Sequence, residues 1–85
     1  MITADFAILP VGTEDTECKE YVTAAVQAIK DSGLNYQLTG MGTQIEAENL
    51  KELYEAIANA QEAVFKTGIG RVYTVIKVDD RRDFE

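Results

Sequence analysis

The stretch Tyr36-Gln-Leu-Thr-Gly-Met-Gly-Thr-Gln-Ile-Glu-Ala-Glu48 decides the fold, because two short alternating segments flank a glycine-containing turn. Counting from Leu34, one side of the two segments carries mainly apolar residues: Leu34, Tyr36, Leu38, Thr43, Ile45 and Ala47. The other side carries only polar ones: Asn35, Gln37, Thr39, Gln44, Glu46 and Glu48. Alternation of this kind around a turn at 39–42 predicts a β-hairpin. Its polar face must meet water, a partner subunit or a ligand.

The segments before the hairpin predict one strand and one helix. Residues 2–9 alternate as a strand that ends before Pro10 and Gly12. Thr16 is a suitable N-cap for the following helix, and Gly33 is well placed to terminate it. The helix has an apolar stripe at helical spacing: Cys18, Tyr21, Val22, Ala25, Val26 and Ile29.

The segments after the hairpin predict a second helix and a last strand. Asn49, with Glu52 three residues later, resembles a capping box at the start of the helix. Gly68 and Gly70 end that helix, and residues 71–79 alternate as a strand. The order β-α-β-β-α-β predicts a ferredoxin-like α+β domain over residues 1–80, followed by a charged tail over 81–85.

Both helices of such a domain cover the same face of the antiparallel sheet, so the other face is left open. Alternation places a mixed set there: Thr3, Asp5, Ala7, Gln37, Thr39, Gln44, Glu46, Tyr73, Val75 and Lys77. This set is too polar for a core and too apolar for a purely solvated surface. We therefore expect a partner subunit to cover it.

Composition excludes several classes of function. The chain has 85 residues, a formal net charge of −7 and only 8 Lys and Arg residues, which argues against nucleic acid and anionic membranes as partners. No apolar run is long enough to span a bilayer, and the first residues lack the basic region of a signal peptide. The single cysteine, Cys18, cannot form an internal disulfide, so we expect a cytoplasmic protein.

Short motifs along the whole chain resemble the thiamine-binding-protein family, whose members are small ferredoxin-like proteins. They are Ile2-Thr-Ala, Pro10-Val-Gly-Thr13, Tyr36 with Gly40-Met-Gly-Thr43 and Glu46, and Arg71-Val-Tyr-Thr with Asp79-Asp-Arg-Arg82. The resemblance implies a homo-oligomer, usually a tetramer built as a dimer of dimers. It also implies binding of thiamine or its hydroxymethylpyrimidine moiety, with no cofactor and no catalysis.

Thiamine combines a cationic thiazolium with a flat aminopyrimidine, so its site needs an aromatic wall, carboxylates and amides. The predicted open face supplies these types as Asp5, Gln37, Gln44, Glu46 and Tyr73. Thr43, from the Gly-Met-Gly-Thr motif, adds a hydroxyl at the rim. Structural alternatives stand beside these assignments: an ion pair of Asp5 with Lys77, a solvated Glu46, and interface packing of Tyr73.

Other notable residues have structural interpretations. Arg81 and Arg82 form the only basic cluster and are candidates for a phosphate group, although such a pair more often makes intersubunit salt bridges or is solvated, which is the interpretation we favour. Cys18 is expected to be a small buried residue, and Tyr36 is expected in the core with its hydroxyl at the edge. Gly40 and Gly42 are assigned to the turn.

The chain contains no histidine, which removes the commonest general base and the usual nucleophile partners. Asp5 with Glu46 is the one carboxylate pair that an enzyme would use. We therefore predict a non-catalytic protein that binds thiamine or a related pyrimidine on the open face near a subunit interface. The alternative is an oligomeric regulatory or interaction module without a small ligand.

Overall fold

The alternating and helical segments form the elements that the sequence predicts. The structure is a computed structural model, which describes residues 1–10, 19–39 and 42–83. Its elements are β1 (Ile2–Pro10), α1 (Lys19–Asp31), β2 (Asn35–Thr39), β3 (Gly42–Ala47), α2 (Leu50–Phe65) and β4 (Val72–Asp80). The predicted cap Thr16, the predicted buried Cys18 and the turn residues Gly40 and Met41 lie outside the described residues.

The strands form one sheet in the order β2-β3-β1-β4, and every neighbouring pair is antiparallel. β1 is central over residues 2–6, where β3 pairs with one of its sides and β4 with the other. This arrangement confirms the predicted ferredoxin-like α+β fold.

β1 runs one residue further than predicted, and its last residue, Pro10, is opposite Val72 of β4. The pairing of β1 with β3 ends at Phe6 and Thr43, so the last residues of β1 pair only with β4. A proline, which lacks the N–H donor, is tolerated there because one side of the strand is already an edge.

The core lies between the sheet and the two helices. Ile2, Ala4 and Phe6 of β1 and Ile45 of β3 are at most 3% exposed. α2 covers them with a stripe at helical spacing, made of Leu53, Ala56, Ile57, Ala60 and Val64. Each large apolar side chain buried in this way contributes about 1.5–3 kcal/mol to folding. The same alternation that fills the core sends every second strand residue to the other face.

Two predicted helix boundaries are confirmed by hydrogen bonds. The Asn49 Oδ1 accepts a hydrogen bond of 2.9 Å from the Glu52 backbone N–H, so Asn49 is the N-cap of α2. Gly33 follows α1 with a φ of 78°, and its N–H donates to the Lys30 carbonyl oxygen at 3.2 Å. A residue with a Cβ would be strained in that conformation, which is why glycine ends the helix.

β2 is an edge strand, and all five of its residues are exposed. Tyr36 is on the helix side of the sheet, as predicted, but it is 38% exposed, and Leu38 is 52% exposed. The prediction of a core Tyr36 is therefore wrong. Alternation assigns the side of a strand correctly, but it does not say how far a helix reaches over a sheet edge.

The helices of the described chain are too short and too polar to cross a membrane.

We predict that Asn49→Ala lowers the free energy of unfolding by about 1 kcal/mol, because the first turn of α2 loses its capping acceptor. For a domain of this size the midpoint of thermal unfolding then falls by about 4–8 °C. Asn59→Ala is the matched control, since Asn59 is exposed in the interior of α2, where alanine is the better helix former. Equal losses in the two variants would contradict the capping role.

Candidate functional site

The candidate site is the face of the sheet that points away from the helices, which we call the open face. Strand register and alternation place on it Thr3, Asp5, Ala7, Leu9, Asn35, Gln37, Thr39, Gln44, Glu46, Tyr73, Val75, Lys77 and Asp79. All of these are exposed or half-buried, in contrast to their neighbours along β1 and β3 that form the core.

The open face is divided into an apolar and a polar half. In the apolar half Ala7 is opposite Val75 and Leu9 is opposite Tyr73, and Leu9 and Tyr73 are more than half exposed. The polar half contains the carboxylates, the amides and Lys77. The division follows from β1, whose outward residues change from Thr3 and Asp5 to Ala7 and Leu9 along the strand.

A row of polar side chains crosses the polar half at the level of Asp5. Gln37 of β2 is opposite Gln44 of β3, Gln44 is opposite Asp5 of β1, and Asp5 is opposite Lys77 of β4. Among the described residues Lys77 is the only basic one on this face. The row therefore presents two amides, one carboxylate and one ammonium group in line across four strands.

Two shallow hollows adjoin this row. One, of about 230 Å³, is lined by Asp5, Lys77 and Asp79 among others, and the other, of about 330 Å³, by Asn35, Gln37 and Glu46 among others. They share Thr3 and Gln44, so they are continuous across the face. Both are open to solvent, and pockets that enclose a small organic ligand are typically about 300–1,000 Å³. The hollows match such a ligand in size but do not enclose it alone.

Asp5 carries a polar atom whose hydrogen-bonding capacity is not satisfied. Its Oδ1 atom is buried and has no hydrogen-bond partner within the described part of the chain. The ion pair with Lys77 that the sequence left open as an alternative is not formed, although the two residues are direct cross-strand neighbours. A buried carboxylate oxygen without a donor costs about 1–3 kcal/mol or more, so such atoms are uncommon in folded proteins.

Gly42, the first residue of β3, makes room for this carboxylate. A Cβ atom at residue 42 would lie 3.0 Å from the Asp5 Oδ1 and 2.8 Å from the Phe6 carbonyl oxygen. Its φ of 154° is also one that residues with a side chain rarely adopt. The sequence assigned Gly42 to the turn alone. Its place on β3, two residues before Gln44 and four before Glu46, was the signal that it belongs to the same face.

The structure brings together some predicted ligand-binding residues and separates others. Asp5, Gln37, Gln44 and Glu46 lie within the two hollows. Tyr73 is on the same face but in the apolar half, level with Leu9, whereas Glu46 is level with Thr3. Six residues along a strand span about 20 Å, so a small ligand does not contact both Tyr73 and Glu46 of one subunit.

Thr43 lies on the opposite side of the sheet from the other predicted site residues. It is opposite Phe6 and Leu38 and borders a hollow of about 310 Å³ beside α1. The two sides of the sheet are separated by the backbone itself, so Thr43 does not join the open-face site.

Both arginines of the predicted anion site are engaged by neighbouring carboxylates. The Arg82 Nη2 lies 2.7 Å from the Asp80 Oδ2, and the Arg81 Nε lies 3.1 Å from the Asp83 Oδ1. The hydrogen bond from Arg82 holds the pKa of Asp80 below its ordinary value. Because these exposed charges are locally compensated, the cluster offers little net positive charge for a phosphate.

A larger hollow was not foreseen from the sequence. It has a volume of about 560 Å³ and lies between α2, β3 and the loop after α1. Its acidic lining consists of Glu46, Glu48, Glu52 and Glu55. These glutamates come from different elements, so only the tertiary fold brings them together. Within the described residues no group of carboxylates has the geometry to hold a metal ion.

Fold and site together define a small ferredoxin-like α+β protein with a half-polar open sheet face. The chain is 52% identical over 83 residues to a UPF0045 protein of Methanothermobacter thermautotrophicus, covering 98% of this chain and 84% of that one. A hypothetical protein of Methanocaldococcus jannascii has the same fold, with a TM-score of 0.85 at 30% identity, over 99% of this chain and 84% of the other.

A further solved structure, from Thermotoga maritima, is named for thiamine biosynthesis or salvage. It has a TM-score of 0.80 at 19% identity and covers 94% of this chain and 83% of its own, a likeness that concerns the fold alone. Residues 4–85 match the family described as thiamine-binding protein. The chain belongs to this family, as its motifs predicted.

We predict that Asp5→Asn raises the free energy of unfolding by about 0.5–1 kcal/mol, because it replaces a buried, unpaired carboxylate oxygen by a neutral amide. Urea unfolding at a fixed protein concentration measures the change. Glu62→Gln makes the same change of charge at an exposed position of α2 and should stay within about 0.5 kcal/mol. A loss of stability in Asp5→Asn relative to this control would show that the Asp5 carboxylate is satisfied.

Proposed function

We propose that this chain is a non-catalytic binding protein for thiamine or its hydroxymethylpyrimidine moiety, held on the open face beside a subunit interface. The observation that carries the proposal is the buried Asp5 Oδ1, which has no donor among the described residues and lies beside two amide side chains. The description of the family supports the choice of ligand, and so does the name of the Thermotoga maritima protein, by analogy of fold.

The chemistry of the row suits an aminopyrimidine. A carboxylate accepts a hydrogen bond from an exocyclic amine, and an adjacent glutamine can donate to a ring nitrogen or accept from the same amine. Gln44 stands next to Asp5, and Gln37 stands next to Gln44. The net charge of −7 gives the protein a field that favours a cation such as the thiazolium.

The proposal includes a homo-oligomer, a dimer of dimers in the form that the family resemblance implies. The hollows are too shallow to enclose a ligand alone, and the apolar half of the open face leaves Leu9 and Tyr73 exposed beside them. A second copy that covers the apolar half would bury this surface and enclose the hollows of the polar half. The second copy could also bring an aromatic ring to the ligand, which Tyr73 of the same subunit does not reach.

A non-catalytic role in the cytoplasm is part of the same proposal. The chain has no histidine for general base catalysis and a single cysteine, so no internal disulfide forms. Asp5 and Glu46 are diagonal neighbours on adjacent strands. Two carboxylates at this spacing can accept hydrogen bonds from a polar ligand, so their proximity does not require a role in proton transfer.

The second candidate is an oligomeric interaction module without a small ligand. It is favoured by the exposed apolar half of the open face, which a protein partner would cover as well as a second copy. In that case the whole face, including the hollows at Asp5, would be filled by the partner.

The experiment is a thermal unfolding screen with thiamine, its phosphates, hydroxymethylpyrimidine and simple amines, followed by calorimetric titration. A ligand at about 100 times its Kd stabilises the protein by about 2.7 kcal/mol per site, which is a clear shift for a small domain. We expect saturable stabilisation by thiamine or hydroxymethylpyrimidine and none by simple amines. No stabilisation by any pyrimidine would overturn the proposal in favour of the interaction module.

Variants then locate the site. We predict that Asp5→Asn weakens binding about tenfold to hundredfold, the value of a hydrogen bond to a charged group. Glu46→Gln should weaken it about two- to fivefold, since Glu46 is exposed, and should leave the oligomer size unchanged. Glu62→Gln on α2 is the control and should bind as the wild type does. Unchanged affinity in Asp5→Asn would remove Asp5 from the site, and unchanged affinity in Glu46→Gln would remove Glu46.

A further inference from the structure

We infer that Gly42 is a specificity-determining residue of the open-face site: its missing side chain is the space that positions the Asp5 carboxylate for an N–H donor of the ligand. The inference rests on the proposed function for the ligand, but the positioning of Asp5 is a property of the free protein. From the sequence alone, Gly42 is explained as a residue of the hairpin turn.

Gly42 is a residue of the sheet as well as a neighbour of the turn. β2 ends at Thr39 and β3 begins at Gly42, so Gly42 is already paired in the sheet, opposite Thr39. The Thr39 hydroxyl donates a hydrogen bond of 3.0 Å to the Gly42 carbonyl oxygen, which fixes this end of the hairpin from β2.

A side chain at residue 42 would meet the site directly. A Cβ at residue 42 would lie 3.0 Å from the Asp5 Oδ1, which is tighter than ordinary van der Waals contact, and 2.8 Å from the Phe6 carbonyl oxygen. The backbone atom restrains the Cβ from moving away, so the carboxylate would have to move instead. The Asp5 carboxylate therefore keeps its position only while residue 42 has no side chain.

Among the residues that the structure describes, the carboxylate so placed has no hydrogen-bond partner for its buried oxygen. The Oδ1 is buried without a donor, and Lys77, the nearest basic residue by register, is not paired with it. A fold gains nothing from a glycine that accommodates an unsatisfied oxygen, and unsatisfied polar groups of this kind concentrate at functional sites. A ligand can supply the donor that the described residues do not, and the planar exocyclic amine of an aminopyrimidine is such a donor.

The test measures the side chain and the ligand separately. Three-bond couplings between the Hα and Hβ atoms and the carboxyl carbon shift of Asp5 report its rotamer by NMR in the free protein. We expect one rotamer in the wild type and a changed one in Gly42→Ala. Gly70→Ala is the matched control, because a Cβ there meets nothing within 4 Å, and it should leave both signals unchanged. An unchanged Asp5 rotamer in a folded Gly42→Ala protein would overturn the inference.

Binding of thiamine by calorimetry supplies the second readout. We expect Gly42→Ala to bind at least tenfold more weakly than the wild type. The double variant Asp5→Ala with Gly42→Ala should bind no more weakly than Asp5→Ala alone, because both changes remove one interaction. Full additivity of the two losses would assign Gly42 a role that does not pass through Asp5 and would overturn the inference.

Asp5→Glu keeps the test decisive where Gly42→Ala does not fold. It preserves the charge but moves the carboxylate outward by one methylene group, away from the space beside Gly42. We expect a loss of affinity comparable to that of Asp5→Asn, and wild-type affinity would overturn the inference. If the wild type binds no thiamine-type ligand, the proposed function fails, and the rotamer of Asp5 decides the inference alone. Averaging of Asp5 over several rotamers in the wild type would overturn the inference even where Gly42→Ala does not fold.

Discussion

The double pairing of β1 over residues 2–6 is the constraint on which the rest of the structure depends. Antiparallel pairing on both sides fixes the register of the whole sheet, and the period of two then fixes which residues face the helices. Ile2, Ala4 and Phe6 must enter the core, so Thr3 and Asp5 must leave it. A slip of one residue would bury Asp5 and expose Phe6. The position of the candidate site is thus set by the same alternation that stabilises the domain.

Because the core and the candidate site lie on opposite faces of one sheet, a small domain can tolerate the unpaired Asp5 oxygen. A chain of 85 residues buries a modest fraction of its surface, and its net stability is a small difference between large terms. The core stripe of α2 against β1 and β3 supplies the favourable term on one side of the sheet. On the other side the buried Asp5 oxygen, unpaired among the described residues, reduces stability. The domain is therefore stabilised through one face of the sheet, and the unfavourable groups are confined to the face on which we propose that the ligand binds.

Much of this could be predicted from the sequence, because it depends on local patterns. The order of elements, the N-cap Asn49, the helix end at Gly33 and the side of each strand residue all follow from spacing and from single-residue conformational preferences. The remainder depends on distances between elements, which spacing does not encode. The exposure of Tyr36 reflects how far α1 extends over an edge strand.

The candidate site also depends on distances between elements that the sequence pattern does not encode. Sequence alternation placed Glu46 and Tyr73 on one face, but only the register shows that they lie at opposite ends of it. Alternation had already placed Thr43 on the apolar side of the hairpin, and its pairing with Phe6 agrees, so the motif that contributed Thr43 to the site did not take account of its side. The role of Gly42 needed the distance between its missing Cβ and Asp5, and no pattern in one chain contains that distance.

The division of the open face into two halves gives assembly and binding a physical connection. Covering the apolar half around Leu9 and Tyr73 would supply the association energy, since burial of apolar surface is the main favourable term in such interfaces. The same cover would exclude water from the neighbouring row at Asp5. Hydrogen bonds to a carboxylate strengthen as the local dielectric falls, and an unpaired carboxylate becomes more costly for the same reason. A subunit interface at the apolar half would thus favour the liganded over the unliganded state of Asp5. By thermodynamic reciprocity, a ligand that satisfies Asp5 would then favour the oligomer to the same extent.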